Sequence, residues 1–470
     1  MTTRSLPTQT QDAALAAAIE RIWEEALAIG LKPFPTHFEI VPATILYELG
    51  SYLMPGRFSH WTHGKMYQMQ KTMYDYGLSK IYELVINSNP CWAFLLESNT
   101  PIQNKLVVAH VLAHSDFFAN NAYFARTSRR MLDTVTLNAD RIRGYEFRHG
   151  SVEVERLLDA VLSIQEHVDP YTAGDLFDAR PADEPATPPK RPRPYDDLWD
   201  GTDGAMETDS ASTNRDGPGS VTPREPDRDL LRFVGTHSPI LQDWERDVVG
   251  IVRAEMLYFF PQMQTKIVNE GWATLLHATI LHRLHLDPNE YVDFADLHAG
   301  VVQPGQRRLN PYHVGYTILR TMNRRHDGDD ETIAPELFDL RETASDLSLI
   351  RNELTKEIVD DLDLYLYRRV GDELVITDKD WEAVRDRLVT DLTGYGFPII
   401  VAVDGDYEGR RELYLRHEWT GKPLDLPYAR HALEHIHRLW GRTVWLETTT
   451  ASEERLLLSY DPRTGHSPAA

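Results

Sequence analysis

Two histidines one helical turn apart, His110 and His114, stand in an apolar stretch at residues 103–124, QNKLVVAHVLAHSDFFANNAYF. Imidazoles at i and i+4 share one helix face. On a buried helix such a pair can hold one divalent metal ion, as in the helical zinc proteases. A second stretch, residues 266–277, KIVNEGWATLLH, carries Glu270 with His277 two turns further on. A carboxylate and a third imidazole from there could complete a four-ligand set with His110 and His114. The competing reading is a set of core histidines held by hydrogen bonds. With 19 histidines in 470 residues, about one such pair arises by chance, so the spacing alone is a weak motif. A second pair, His431 and His435, is taken as structural.

The elements that must position these groups are helical. Residues 103–124 are apolar nearly all round, which is the pattern of a buried helix, and His110, His114 and Asn121 lie along one stripe of it. Earlier helices are expected at 12–30, 44–53 and 65–85, the last ending near Glu83, a glutamate whose apolar flanks make it costly to bury unpaired. His60 stands in the aromatic loop Phe58-Ser-His-Trp-Thr-His before that helix. It is read either as lining a site or as plugging a core. Further helices are expected at 129–142 and 152–168, with no strand before residue 178. Residues 178–226, rich in Pro, Asp, Gly, Ser and Thr, show no hydrophobic period and read as a disordered insertion. Helical pattern resumes at residue 229 and includes Glu255 among apolar neighbours. Pro261 must kink or end that run, and a further helix is expected at 311–322. From about residue 336 the pattern changes. Helices at 347–366, 381–392 and 426–439 alternate with strands at 373–377, 398–403, 412–417, 443–447 and 455–460, the pattern of a small α+β domain.

Composition limits the partners. The formal charge is −23, which argues against nucleic acid and anionic membranes, since both need a basic surface. Only 10 of the 49 basic residues are lysine. Abundant acid with arginine in place of lysine suggests adaptation to a high-salt cytoplasm, where salt screens self-repulsion. The single cysteine, Cys91, excludes an internal disulfide and a cysteine zinc cluster, and its apolar setting suits a small buried hydrophobe. No secretory signal pattern opens the chain, and no run of about 18 apolar residues could span a membrane. A cytoplasmic location is expected.

With these stretches placed, the chain resembles the SpoVR family, stage V sporulation protein R and its relatives, over nearly its whole length. The resemblance rests on Phe58-Ser-His-Trp with Gly64-Lys65, Tyr82-Glu-Leu-Val with Asn87-Ser-Asn-Pro90, and His110-Val-Leu-Ala-His-Ser-Asp-Phe-Phe118 with Asn121. Tyr258-Phe-Phe-Pro-Gln262, Thr265-Lys-Ile-Val-Asn-Glu-Gly-Trp-Ala273, Asn310-Pro-Tyr312 and Leu439-Trp-Gly-Arg442 extend it. It implies a role in sporulation, stress response or the cell envelope. It also implies partners of two kinds, a PrkA-like serine kinase and a von Willebrand-type protein. The composition adds the expectation of a halophilic archaeal source.

A second resemblance bears on mechanism. Asn269-Glu-Gly-Trp-Ala273 is similar to the Asn-Glu-Gly-Phe-Ala segment that supplies the glutamate ligand in gluzincin metallopeptidases, whose other ligands come from a His-Glu-x-x-His helix. It implies a zinc or similar divalent ion on His110, His114 and Glu270, with His277 a further candidate and His60, Asn121, Asn269 and Trp272 around the site. The chain departs from that pattern at Val111, where the water-activating glutamate would stand. Either Glu83 or Glu255 does that work, or the metal serves another purpose. The expected fold is mainly α, with a large helical domain at 1–335 containing a zincin-like metal-binding core and a small α+β domain at 336–470. Two functions follow. One is a metal-dependent hydrolase of amide bonds. The other is a non-catalytic regulatory scaffold.

Overall fold

The computed structural model describes residues 9–76, 83–171, 221–223, 225–305, 309–370 and 373–469. Its elements begin with α1 (Gln9–Ile29), β1 (Thr36–Val41), α2 (Ala43–Tyr52), α3 (Trp61–Asp75), β2 (Glu83–Ile86), β3 (Cys91–Leu96), α4 (Pro101–Asn120), α5 (Met131–His149) and α6 (Ser151–Leu162). There follow α7 (Leu230–His237), α8 (Asp243–Gln264), α9 (Lys266–Arg283), α10 (Pro288–Val301), α11 (Pro311–Arg325), α12 (Pro335–Thr343), α13 (Asp346–Glu353) and α14 (Lys356–Asp361). The last are β4 (Leu366–Val370), β5 (Glu373–Asp378), α15 (Trp381–Leu392), β6 (Ile400–Tyr407), β7 (Glu412–His417), α16 (Leu426–Trp440), β8 (Val444–Thr449), β9 (Arg455–Asp461) and β10 (Gly465–Ala469). Among the described residues, no helix is long and apolar enough to cross a membrane.

The chain forms two compact units, one of residues 1–159, 251–398 and 420–422, the other of 160–250, 399–419 and 423–470. Residues 336–398, expected to open the C-terminal domain, therefore belong to the first unit. The cause is burial: Leu337, Leu349, Ile350, Ile358 and Val384 join the same apolar core as α4 and α9. Most of the expected insertion at 178–226 lies outside the described residues.

The centre of the first unit is α4. Its start is dictated locally, with Thr100 and Gln103 forming a reciprocal capping box and Pro101 in the first turn, where its missing amide donor costs nothing. Thirteen of its twenty residues are buried, as a helix apolar all round requires. Helix α9 packs along it. Helix α11 then crosses α9 so closely that a Cβ on Gly271 would lie 2.4 Å from the backbone carbon of Gly315. Only two glycines permit that approach.

The first unit also contains strands where none was expected. β1 runs parallel to β3, pairing Thr36 with Cys91 and Val41 with Leu96, and β2 pairs antiparallel to β3. The sheet order is β1-β3-β2. These strands are four to six residues long, and apolar runs this short cannot be told from helix by periodicity. The helix expected over 65–85 thus ends at Asp75, and Glu83 opens a strand. The expected helix over 347–366 is broken into α13 and α14.

The second unit carries a five-stranded sheet of order β10-β9-β8-β7-β6. β6 and β7 form the expected hairpin. β7 and β8 are parallel, and the connection between them is the amphipathic α16, the usual solution for joining parallel strands. β10 had no counterpart in the sequence reading.

Candidate metal centre

His110 and His114 project from one face of α4 toward α9, which presents Asn269, Glu270 and His277. The ligand atoms of His110, His114 and Glu270 all lie within 4.8 Å of one another. The two Nε2 atoms are 3.1 Å apart, and Glu270 Oε2 lies 3.4 Å from His114 Nε2 and 3.7 Å from His110 Nε2. Donor atoms about 2.0–2.2 Å from a tetrahedral zinc ion stand about 3.3–3.6 Å from each other. The three groups therefore fit one such ion in both chemistry and spacing.

The hydrogen bonds around the rings fix which nitrogens are bare. His114 Nδ1 donates to Asn269 Oδ1 at 2.9 Å, so a neutral His114 has its lone pair on Nε2. His110 faces the backbone carbonyl of Ala273 and, at 3.0 Å, Nδ1 of His277. His110 turns Nδ1 to His277 and Nε2 to His114 and Glu270, so its Nε2 is bare as well when its hydrogen sits on Nδ1. Two lone pairs and a carboxylate then point into one buried spot, a repulsive arrangement that only a cation relieves. A proton on His114 is one such cation. Burial disfavours charge on that ring, but Glu270 and Asn269 outweigh it and raise its pKa. In His110, burial and the adjacent His114 pull the ring down. Burial pushes the Glu270 carboxyl up, yet the two imidazoles hold it well below the usual carboxylate range.

Two further groups reach this spot. Burial and the charge of Glu270 push the half-buried Glu83 carboxyl up to about 7, against the opposing effect of His114. Tyr312 lies beside Glu270, and burial together with both glutamates raises its phenol well above the ordinary value. Its ring stacks on His110 with centroids 5.9 Å apart. Asn310 caps α11 by accepting from Tyr312 N, which sets Tyr312 in the first turn. In the sequence, Tyr312 stands in Asn310-Pro-Tyr312, a stretch whose residue types alone assign the phenol no place in a metal site.

The remaining expected residues divide. Asn269 is in the site. His277 stands behind His110, on the Nδ1 side of that ring, and its own Nε2 meets His298 Nδ1 at 2.9 Å. It is thus not placed as a fourth ligand, because it faces the wrong nitrogen. Trp272 points to the other side of α9 and donates from Nε1 to Asp116 Oδ2. Asn121 ends α4, its amide donating to the carbonyls of Arg341 and Ala344. His60 caps α3 and meets Asp159 at 3.2 Å. Glu255 is buried against Arg57 at 2.7 Å, so of the two candidate bases only Glu83 is beside the imidazoles. His298 was not foreseen; it is one histidine of many on a helix with no marked pattern. Val111, which stands where a His-Glu-x-x-His helix would carry its glutamate, is fully buried.

Comparison with known proteins agrees with the residue-level resemblance. Residues 9–397 match the family model described as SpoVR like protein, and 398–451 match that of the SpoVR-like C-terminal domain. The chain is 29% identical to a protein of Escherichia coli (strain K12) named "Uncharacterized protein YcgB", over 96% of this chain and 94% of that one. No solved structure matches. Since the family model spans the helical core and its candidate ligands, and the second model takes up where it ends, the chain belongs to the SpoVR family.

Proposed function

We propose that this SpoVR-like core is a metal-dependent hydrolase acting on amide bonds, with His110, His114 and Glu270 holding one divalent ion, zinc by preference. The observation behind this reading is the convergence of two bare imidazole nitrogens and a buried carboxylate on one point. Two nitrogens and one oxygen suit a borderline cation such as zinc, with a coordination position left open for chemistry. When bound, such an ion supplies Lewis acidity. The chain's own groups do the rest. Glu83, with a carboxyl held near neutrality, can accept and return a proton, the task that Val111 cannot perform. Tyr312 offers a phenol beside Glu270 from which a hydrogen bond could be given to a substrate oxygen.

The test is metal content by mass spectrometry on protein never exposed to chelator. We expect about one zinc per chain in the wild type and none in H110A/H114A of unchanged helicity. E83Q should keep the metal and lose at least about tenfold in turnover of an amide substrate identified by screening. Absence of metal from both proteins would overturn the reading.

Val111 favours a second reading, in which the same core binds metal structurally and the protein is a regulatory scaffold, acting with a PrkA-like serine kinase and a von Willebrand-type partner. Stable capture of those partners, with metal present but no turnover in any amide screen, would select it.

A further inference from the structure

Behind the candidate ligands runs an unbroken file of imidazoles. His114 Nε2 meets His110 Nε2 at 3.1 Å, His110 Nδ1 meets His277 Nδ1 at 3.0 Å, and His277 Nε2 meets His298 Nδ1 at 2.9 Å. The four residues come from three helices, α4, α9 and α10. His277 is fully buried, so its two ring nitrogens have no water to fall back on. The buried end of the file is anchored by the Ala273 carbonyl beside His110. The other end is the half-buried His298, whose ring packs on Phe294 and Tyr316.

The donor sense of each link follows by elimination. A neutral imidazole has one N–H and one bare nitrogen. When His110 Nε2 is bare to face a cation, the ring's hydrogen is on Nδ1 and His277 Nδ1 must accept. His277 Nε2 then carries the hydrogen and donates to His298 Nδ1, leaving the His298 hydrogen on Nε2. Reversing either of the two links behind His110 alone would set two N–H groups, or two lone pairs, against each other. The file is therefore a single polarised unit, and its polarity is the one that leaves the His110 lone pair on Nε2, facing His114 and Glu270.

We infer that His277 and His298 are positioning residues for a cation held by His110, His114 and Glu270. They hold His110 in its ligating tautomer and its ring plane toward the ion. This rests on the metal reading above and extends it, assigning His277 an outer role in place of a fourth ligand. Ligating histidines ordinarily pass their second N–H to a carboxylate, a carbonyl or water. Here an imidazole takes that place, so the outer partner adds no negative charge and Glu270 is the one anion among the three ligands.

The test is zinc affinity of the full-length chain by competition with a chromophoric chelator, with the visible spectrum of the cobalt-loaded protein as a second readout. H277L removes the acceptor while keeping an apolar filling. H277N restores an acceptor atom near the place of Nδ1. H298L cuts the file at its half-buried end. We expect H277L to bind zinc about 10–100-fold more weakly with a shifted cobalt spectrum, H277N to recover most of the affinity, and H298L to lose several-fold. Wild-type affinity and an unaltered cobalt spectrum in folded H277L would overturn the inference and leave the metal reading intact. If neither metal binds the wild type, both fall. Should H277L not fold, H298L decides: several-fold weakening supports the inference and unchanged affinity overturns it.

Discussion

At the scale of the residue, the candidate centre replaces one missing group with another from a different element. A glutamate at position 111 would stand on α4 itself, where the chain has valine. Glu83 stands on β2, close enough for its charge to be felt at His114 and Glu270. Glu255, the other candidate base, is paired with Arg57 and has no such freedom. Away from the centre, His63 allows a direct check on burial energetics. It is buried in α3 with Nε2 unpartnered, and burial, reinforced by Arg57 and His60, pulls its ring down to about 4. The unfolded chain takes up that proton near the ordinary value of about 6.5. Between those values the unfolded state binds more protons, so stability rises with pH there. His63 thus contributes stability that is complete above about pH 6.5 and is lost as pH falls toward 4, of order 2–3 kcal/mol. Urea unfolding of H63L beside wild type should show a shallower acid decline in the variant; parallel curves would contradict it.

At the scale of the element, three helices set the centre, and each is held by a different device. The capping box starts α4, so its histidines point to a fixed side. The Gly271–Gly315 crossing brings α11, and with it Tyr312, onto the Glu270 end of α9. Asp116 locks the far side. It is fully buried and accepts from Arg341 Nη1 at 2.7 and 2.9 Å, from Trp272 Nε1 and from the Lys32 backbone amide. That joins α4, α9 and α12 behind the imidazoles. D116A leaves the buried Arg341 guanidinium without its main partner and should cost about 3–5 kcal/mol. The double variant D116L/R341M removes both charges and should recover much of that loss, because an intact buried pair stabilises little over an apolar replacement. Chemical denaturation of the three proteins decides this; a double variant no better than D116A would refute it. The starts of α15 and α16 fall at the expected residues 381 and 426, where Asp380 and Asp425 cap them, because caps are local chemistry. The β1–β3 sheet was not, because a six-residue strand such as Cys91-Trp-Ala-Phe-Leu-Leu96 acquires its identity from the strand it pairs with.

At the scale of the whole molecule, charge dominates. A formal −23 over 470 residues leaves acidic groups in excess, and these repel one another unless salt screens them. Raising salt from about 0.1 M to about 1 M shortens the screening length from about 10 Å to about 3 Å. If self-repulsion limits stability, the unfolding temperature should climb over that range in potassium chloride. A flat or falling profile would show that the acidic surface is not a salt adaptation. The division into units is also a whole-chain property. Residues 336–398 look like the opening of an α+β domain, yet their apolar side chains complete the core around α4 and α9. Helix α7, which resumes the helical pattern, belongs with the terminal sheet.

By itself the sequence determined the family, the helical character of α4 and α9, and the three groups that could share a cation, because these depend on residue type, local spacing and caps. Only the tertiary structure decided which partners those groups have. It put Asn269 on His114, His277 behind His110 and Glu83 near His114, while Asn121, Trp272, His60 and Glu255 turned to other partners. The reason is physical. The spacing of residues within a helix sets which face a side chain occupies, but which atom of a ring meets which neighbour depends on helix crossings. Those crossings are made by contacts such as Gly271 with Gly315 and Asp116 with Arg341, between residues far apart in the chain.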